Sequence, residues 1–438
     1  MRTSWKIVML VSLALAFSAC KKKGEEKKDE GKDKDAMEAM DMGAMDMDAM
    51  DMVSDKLGMA VDKLGMAVDK VDKALKDDRP PLTMEQYEKY ILALSACKLQ
   101  EWGVDNKCEQ HKTLQEARSA KGALTQLFGK YQEIGLKHMK HENDTVRYYA
   151  IGLLGTGMWN TQKEEVATAV IAASENEKNH LVLRQMIQVL ATSARKHPSI
   201  AKWLVEKMSK HENENVRSSA AGYLASANRG IEGFLARMIE MIQKDPSDKV
   251  KQMACKRAYE HWDDKILPIY QKLTANDKDP GLYSSCLEGL FNMWNAFVFL
   301  EKPSEKAFKL TLQRMYDKPR TKNRPPWTIM RGFGRIPMEK VENSNEKRIP
   351  AWYKEPLVIK AMLDVARDPA ANWMSRTGAV SALAELGLAA EKEKRAGVKE
   401  NIKKEIDKLQ KELEGRGEKD RDGSFHVVNT IKREAAKL

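Results

Sequence analysis

The stretch "KHENDTVRYYAIGLL", Lys140 to Leu154, returns seventy residues on as "KHENENVRSSAAGYL", Lys210 to Leu224. An echo of this kind restricts a chain to architectures made by stacking one unit on the next. With Val146 and Val216 as anchors, the midpoint of the interval falls on Leu181 in "SENEKNHLVLRQMIQVL". Two more anchors follow, Val250 in "DPSDKVKQMACKRA" and Leu282 in "DKDPGLYSSCLEGL", so the intervals are 35, 35, 34 and 32 residues. Each unit opens with a polar turn and an apolar anchor, often followed by a base (Arg147, Arg217, Lys251). A small residue comes four positions after the anchor (Ala150, Ala220, Ala254, Cys286), and then a second helical pattern such as "EEVATAVIAAS" or "IEGFLARMIEMIQK". Small residues at that spacing line one stripe of a helix and let neighbouring helices approach closely. Strand signals are nearly absent from Leu82 onward. The expected fold is therefore all-α, an α-solenoid of helical hairpins with its core between units and an extended face left for binding.

"ENDTVRYYAIGLL" and "ENENVRSSAAGYL" resemble HEAT repeats, in particular the short class similar to phycobilisome-lyase HEAT-like repeats, with Asp, Val-Arg, Ala and Ala-Leu in order. The resemblance runs from about Gln110 to Tyr316 and returns at "DPAANWMSRTGAVSALAEL", Asp368 to Leu386. It implies an architecture and does not choose a ligand. On this reading 138–316 are HEAT-like repeats, 82–137 an N-terminal helical cap, and 357–438 a C-terminal HEAT-like unit with a cap helix. In that last helix Val398, Ile402, Ile406, Leu409 and Leu413 share one stripe.

His138, His141 and Glu142, with His211 and Glu212, raise the question of metal. One HEAT-repeat family, the deoxyhypusine hydroxylases, binds two irons through His-Glu pairs inside the first helix. Here the pairs lie four to five residues ahead of Val146 and Val216, in the turn. The other turns carry Glu175-Asn176, Asp245-Pro246 and Asp277-Lys278 instead. An acid or amide just before a helix suits the capping of its free N–H groups. No metal ligand set, cofactor or catalytic residue is assigned, since nucleotide-binding glycine loops, GxSxG and zinc-type cysteine pairs are all missing from the sequence.

The repeat breaks at 317–356, where "KPRTKNRPPWTIMRGFGRIPMEK" has seven basic residues against one acid. Arg320, Arg324, Trp327, Arg331 and Arg335 are the candidate binding residues there, because arginine and aromatics are favoured at interfaces.

The amino-terminal sequence points to a membrane surface. Residues 1–19, a charged head and an apolar run from Ile7 to Phe17, read as a signal peptide too short to span a bilayer. "FSAC" resembles a bacterial lipobox, which implies lipidation at Cys20 and export. Lys21 stands where an Asp would resemble the inner-membrane retention signal, so the outer membrane is the expected address. Residues 20–54 read as a disordered charged tether with Met at 37, 40, 42, 45, 47, 50 and 52. That run resembles methionine-rich segments of periplasmic copper-handling proteins; the competing reading is a merely sticky tether. Residues 55–78 form a heptad-like amphipathic pattern.

In an exported chain disulfides persist. Cys97 and Cys108, eleven residues apart around "EWGVDNK", are the expected pair, whereas Cys255 and Cys286 are expected as buried free thiols. The chain carries 75 Lys+Arg against 64 Asp+Glu, a net +11. An excess so dispersed suits an anionic envelope polymer or membrane, and nucleic acid is not expected. The function that follows is a membrane-anchored, non-catalytic scaffold that binds a protein or an anionic envelope polymer. Metal handling, by copper on the Met-rich tether or at the His-Glu turns, is the alternative; no small-molecule substrate is indicated.

Overall fold

The computed structural model describes residues 82–119, 131–155, 164–225, 231–261, 263–295, 303–321, 323–342, 344, 346–416 and 424–438. The signal peptide, Cys20, the Met-rich tether and the heptad-like segment all lie outside the described residues. So do all of residues 1–76, and every described residue belongs to one compact unit, Asp77–Leu438. Among the described residues no helix is long and apolar enough to cross a membrane.

The unit opens on α1 (Met84–Ala93), started by a reciprocal cap in which the Thr83 hydroxyl accepts from Gln86 N–H and the Gln86 side chain accepts from Thr83 N–H. A two-residue-per-strand hairpin follows, β1 (Leu99–Gln100) antiparallel to β2 (Gly103–Val104), and then α2 (Glu109–Ser119) and α3 (Tyr131–His138). Tyr87, Ile91, Leu114, Tyr131 and Ile134 close a separate small core that also takes in Val146 and Leu153 of the first repeat.

From there two layers alternate. The first layer holds α4 (Asp144–Gly155), then α6 (His180–Leu190), α8 (Glu214–Ala225), α10 (Asp248–Arg257) and α12 (Pro280–Asn295). The second holds α5 (Glu164–Ser174), α7 (Pro198–Glu206), α9 (Phe234–Lys244), α11 (Leu267–Leu273) and α13 (Glu305–Tyr316). Each first-layer helix packs along the next. The small residues sit at those contacts: Ala150, Ala220, Ala254 and Cys286 are all fully buried. Val146, Val216 and Val250 are sealed as well, but the fifth unit differs. There Leu282 is only half-buried, and Tyr283 fills the core. The position after the anchor faces the neighbouring turn, and in this unit it holds a ring in place of an Arg or Lys.

Residues 317–356 were expected to interrupt the stack, and in space they continue it. The 3-10 helix Trp327–Gly334 packs between α12 and the long α15 (Trp373–Lys392), in first-layer position. Helix α14 (Glu355–Arg367) packs on α13 and on α16 (Val398–Gly415), in second-layer position. Insertion and α14 together thus make a shortened unit, with the small hairpin β3 (Glu339–Lys340) and β4 (Lys347–Arg348) between them. The stripe Ile402, Ile406, Leu409 and Leu413 of α16 is wholly buried, and α17 (Ser424–Ala435) lies against α15 and α16 through Val427, Val428 and Ile431.

Cys97 and Cys108 are bonded, with 5.7 Å between their α-carbons. Cys255 and Cys286, expected as free thiols, are bonded too, at a Cα–Cα distance of 4.9 Å. The correction has a plain cause. Both residues occupy the close-contact stripe of adjacent first-layer helices, α10 and α12, and that closeness brings two small side chains within bonding reach. A crosslink spanning 31 residues contributes on the order of 3 kcal/mol by restricting the unfolded chain. Replacing Cys255 by Ala is expected to lower the thermal midpoint, and alkylation followed by intact-mass measurement should find none of these four cysteines free. Four alkylated thiols would refute both bonds.

Candidate functional site

The turns between units are held by guanidinium groups. Arg147, just after its anchor, reaches forward to the next turn and donates through Nε and Nη2 to the two Glu177 oxygens at 2.7 and 3.0 Å. Its Nη1 turns back to the carbonyls of His141 and Glu142 at 2.8 and 2.7 Å. Two units later Arg217 repeats the arrangement: Asp245 at 2.8 and 2.9 Å, then the carbonyls of His211 and Glu212 at 2.9 and 2.8 Å. One side chain thereby ties its own turn to the following one. The planar fork matches a carboxylate, which is why Arg does this work. Hydrogen bonding to Asp245 raises the Arg217 pKa, against the opposing effect of burial.

These contacts answer the His-Glu question. His141 Nδ1 accepts from Asn143 N–H and His211 Nδ1 from Asn213 N–H, each at 3.0 Å. The helix caps are the asparagines: Asn143 Oδ1 accepts from the N–H groups of Thr145 and Val146, and Asn213 Oδ1 from that of Asn215. Nδ1 of each ring is used in shaping the turn, and Glu142 and Glu212 give their carbonyls to it. Shallow polar grooves of about 370 and 320 Å³ lie beside the two turns. Among the described residues, no group of three or more His, Cys, Asp and Glu is placed to hold a metal ion.

The same chemistry accounts for two of the candidate binding residues. Arg320 and Arg324 were expected on a binding surface, and both are buried. Arg320 donates to Asp368 at 2.8 Å and to Asp364. Arg324 donates to Asp317 at 3.0 Å, where Arg314 also arrives at 2.9 Å. Asp317 and Asp368 head the turns into the 3-10 helix and α15, as Glu177 and Asp245 head the turns into α6 and α10. The insertion therefore supplies from a distance the arginines that earlier units carry beside their anchors. Its aromatics go inward as well. Phe333 and Tyr353 pack with Trp294, and Trp352 with Phe308, at ring separations of 5.2 to 6.5 Å. Trp327 and Arg331 stay outside, 53% exposed in the first case, with Arg331 meeting Glu385 at 3.1 Å. Arg335 is exposed too, although it is not without a partner.

The outward side of α8, α10 and α12 forms the remaining candidate surface. With Val250, Ala254 and Cys255 inside, α10 turns Gln252, Met253, Lys256 and Arg257 the other way. Met253 lies over Gly222 of α8, close enough that a β-carbon there would touch its sulfur at 3.9 Å. Lys256 meets Glu288 of α12 at 3.0 Å, and Tyr223 stands half-buried near enough to Arg257 to feel its charge. Burial raises the Tyr223 pKa, and the Arg257 charge opposes it.

Comparison with known proteins agrees with this architecture. The family profile described as HEAT repeats matches residues 167–257, from α5 to the end of α10. Residues 167–257 are thus HEAT repeats. Over 120 residues it is 28% identical to 26S proteasome regulatory subunit RPN2 of Eremothecium gossypii; the match covers 27% of this chain and spans only 13% of that relative's length. The X-ray structure of the E. coli protein YibA aligns with 81% of this chain and 99% of its own, at 12% identity and a TM-score of 0.32, too loose to bear on the argument. HEAT repeats make helical scaffolds for protein interaction.

Sequence reasoning had marked the acids of the HEAT turns as caps and missed their use as arginine partners. The signal was present, since Glu177 and Asp245 follow Arg147 and Arg217 by 30 and 28 residues, close to one period. Arg217→Ala leaves the Asp245 carboxylate buried and unpaired, so a loss of about 3–5 kcal/mol is expected, read as a fall in the denaturation midpoint. A midpoint within error of the parent would show that the clamp carries little.

At Asp368, burial pushes the carboxyl pKa up, and hydrogen bonds from Lys318, the Ala370 N–H and Arg320 outweigh it, lowering the group from 3.8 to about 2. A depressed carboxyl stabilises the fold fully above its unfolded pKa and stops doing so as pH falls through the folded one. About 2 kcal/mol is therefore lost between pH ~4 and ~2. Asp368→Asn should flatten that part of the acid-denaturation profile; an unchanged profile counts against the assignment.

Proposed function

We propose that this protein is a non-catalytic scaffold of the cell envelope, lipid-anchored at Cys20, which binds a partner protein over the outward side of its first-layer helices. The observation that carries the reading is the α8–α10–α12 surface, where Tyr223, Met253, Lys256 and Arg257 lie side by side on helices fixed by a disulfide and by the Arg217 clamp. Aromatic, methionine and arginine side chains are the types enriched at protein interfaces. A surface held rigid from beneath loses little further freedom on binding. Two disulfides among the described residues support an oxidising compartment, as the lipobox-like "FSAC" does. The outer membrane remains the address that Lys21 favours.

The test is photo-crosslinking in intact cells from Met253 and Tyr223, paired with charge reversal at Lys256 and Arg257. A crosslinked partner whose yield falls at least severalfold in the Lys256→Glu, Arg257→Glu variant, at an unchanged thermal midpoint, is the expected result. Equal yield from the reversed surface would remove this face from the proposal. Mass analysis of Cys20 tests the anchor separately.

A further inference from the structure

Trp102 is 91% exposed, the most open large apolar side chain among the described residues. It stands at the tip of the β1–β2 hairpin, where two-residue turns ordinarily use Gly, Asn or Asp. Scattered exposed apolar residues need no explanation, but they are seldom held as this one is. The Cys97–Cys108 bond closes the base of the hairpin. The Thr145 hydroxyl donates to the Cys97 carbonyl at 2.8 Å. Glu101, beside the tryptophan, pairs with Arg184 and lies 3.7 Å from His180, both on α6. Gly103 has φ +118°, a conformation side chains rarely adopt, and it packs beside the Tyr148 hydroxyl of α4. The fold thus spends a disulfide, a charged pair and a glycine to present one indole to solvent.

The position of the hairpin indicates what it meets. Leu82, the first described residue of this unit, packs in the same small cluster as Val104 and Cys108. Trp102 therefore belongs to the amino-terminal cap, the part of the unit nearest in sequence to the proposed anchor. Lys98, Lys107 and Lys112 are exposed around the base of the hairpin; of the acids there, Glu101 is paired with Arg184, Asp105 is half-buried and accepts from the Lys107 N–H, and Glu109 is exposed. An indole with lysines nearby suits the headgroup level of an anionic bilayer, where the ring is half-dry and cations are attracted to the lipid charge. Attachment raises the local concentration of such a surface, so the contact can be weak and still be occupied.

We infer that the Trp102 hairpin is a second membrane contact, inserting its indole into the interface of an anionic lipid surface and setting how the solenoid stands on it. This rests on the anchoring proposed at Cys20. The experiment uses the chain from residue 20 onward with Cys20→Ser, which keeps the whole Asp77–Leu438 unit. An amino-terminal histidine tag holds it on vesicles of phosphatidylglycerol, brominated phosphatidylcholine and nickel-chelating lipid. Tryptophan quenching by the bromines should be lost in Trp102→Phe, retained in Trp373→Phe, and reduced severalfold when Lys98, Lys107 and Lys112 become Gln. Equal quenching in the parent and Trp102→Phe, or no quenching in either, overturns the inference; crosslinks from position 102 to a protein would then identify it as a protein contact. Because the tag replaces the lipid, an unmodified Cys20 in cells would sink the anchoring reading and leave this result standing.

Discussion

A single hairpin of this chain has no inside. Val146, Ala150 and Leu154 of α4 are sealed only by what lies against them, chiefly α6 on one side and the amino-terminal cluster on the other. That dependence repeats at every step, and it demands that first-layer helices lie close. Alanine at positions 150, 220 and 254 meets the demand by being small. At the fourth position the same closeness allowed a cysteine to meet Cys255 from the helix before it. The disulfide is thus a product of the stacking geometry.

Close stacking creates a polar problem at the edge, where each second-layer helix ends and the next first-layer helix begins. Helix starts leave N–H groups and turns leave carbonyls without partners. Asn143, Asn213, Asn179 and Asp279 take the N–H groups. Arg147 and Arg217 take the carbonyls and, in the same gesture, the carboxylate of the next turn. The pairing couples unit to unit by charge where the helices couple by apolar contact. The same pairing recurs at the insertion, where Arg320 and Arg324 reach the carboxylates of Asp368 and Asp317.

With apolar residues committed to stacking and most turn charges to clamping, what is left outside is informative. The α8–α10–α12 side presents tyrosine, methionine and arginine at mid-chain, and the hairpin presents one tryptophan at the amino-terminal end. Rigid support beneath each is the common feature, and it suits surfaces that bind without rearranging.

Local pattern was enough to determine the all-α class, the 35-residue unit, its anchors and the buried stripe of α16, because helical periodicity is written in near neighbours. That the turns cap helices was legible too, but the caps fall on Asn143, Asn179, Asn213 and Asp279, whereas Asp245 and Asp277 went to long-range partners. Long-range partners were not legible. That Arg320 and Arg324 would be buried beside Asp368 and Asp317, that Phe333 and Tyr353 would meet Trp294, and that Cys255 would find Cys286 all depend on which units lie side by side. A basic, aromatic, proline-punctuated segment has the same composition whether it faces a partner or completes its own stack. Only the tertiary structure could decide, because burial is a property of neighbours in space, and for this segment those neighbours come from as far as 54 residues away in sequence.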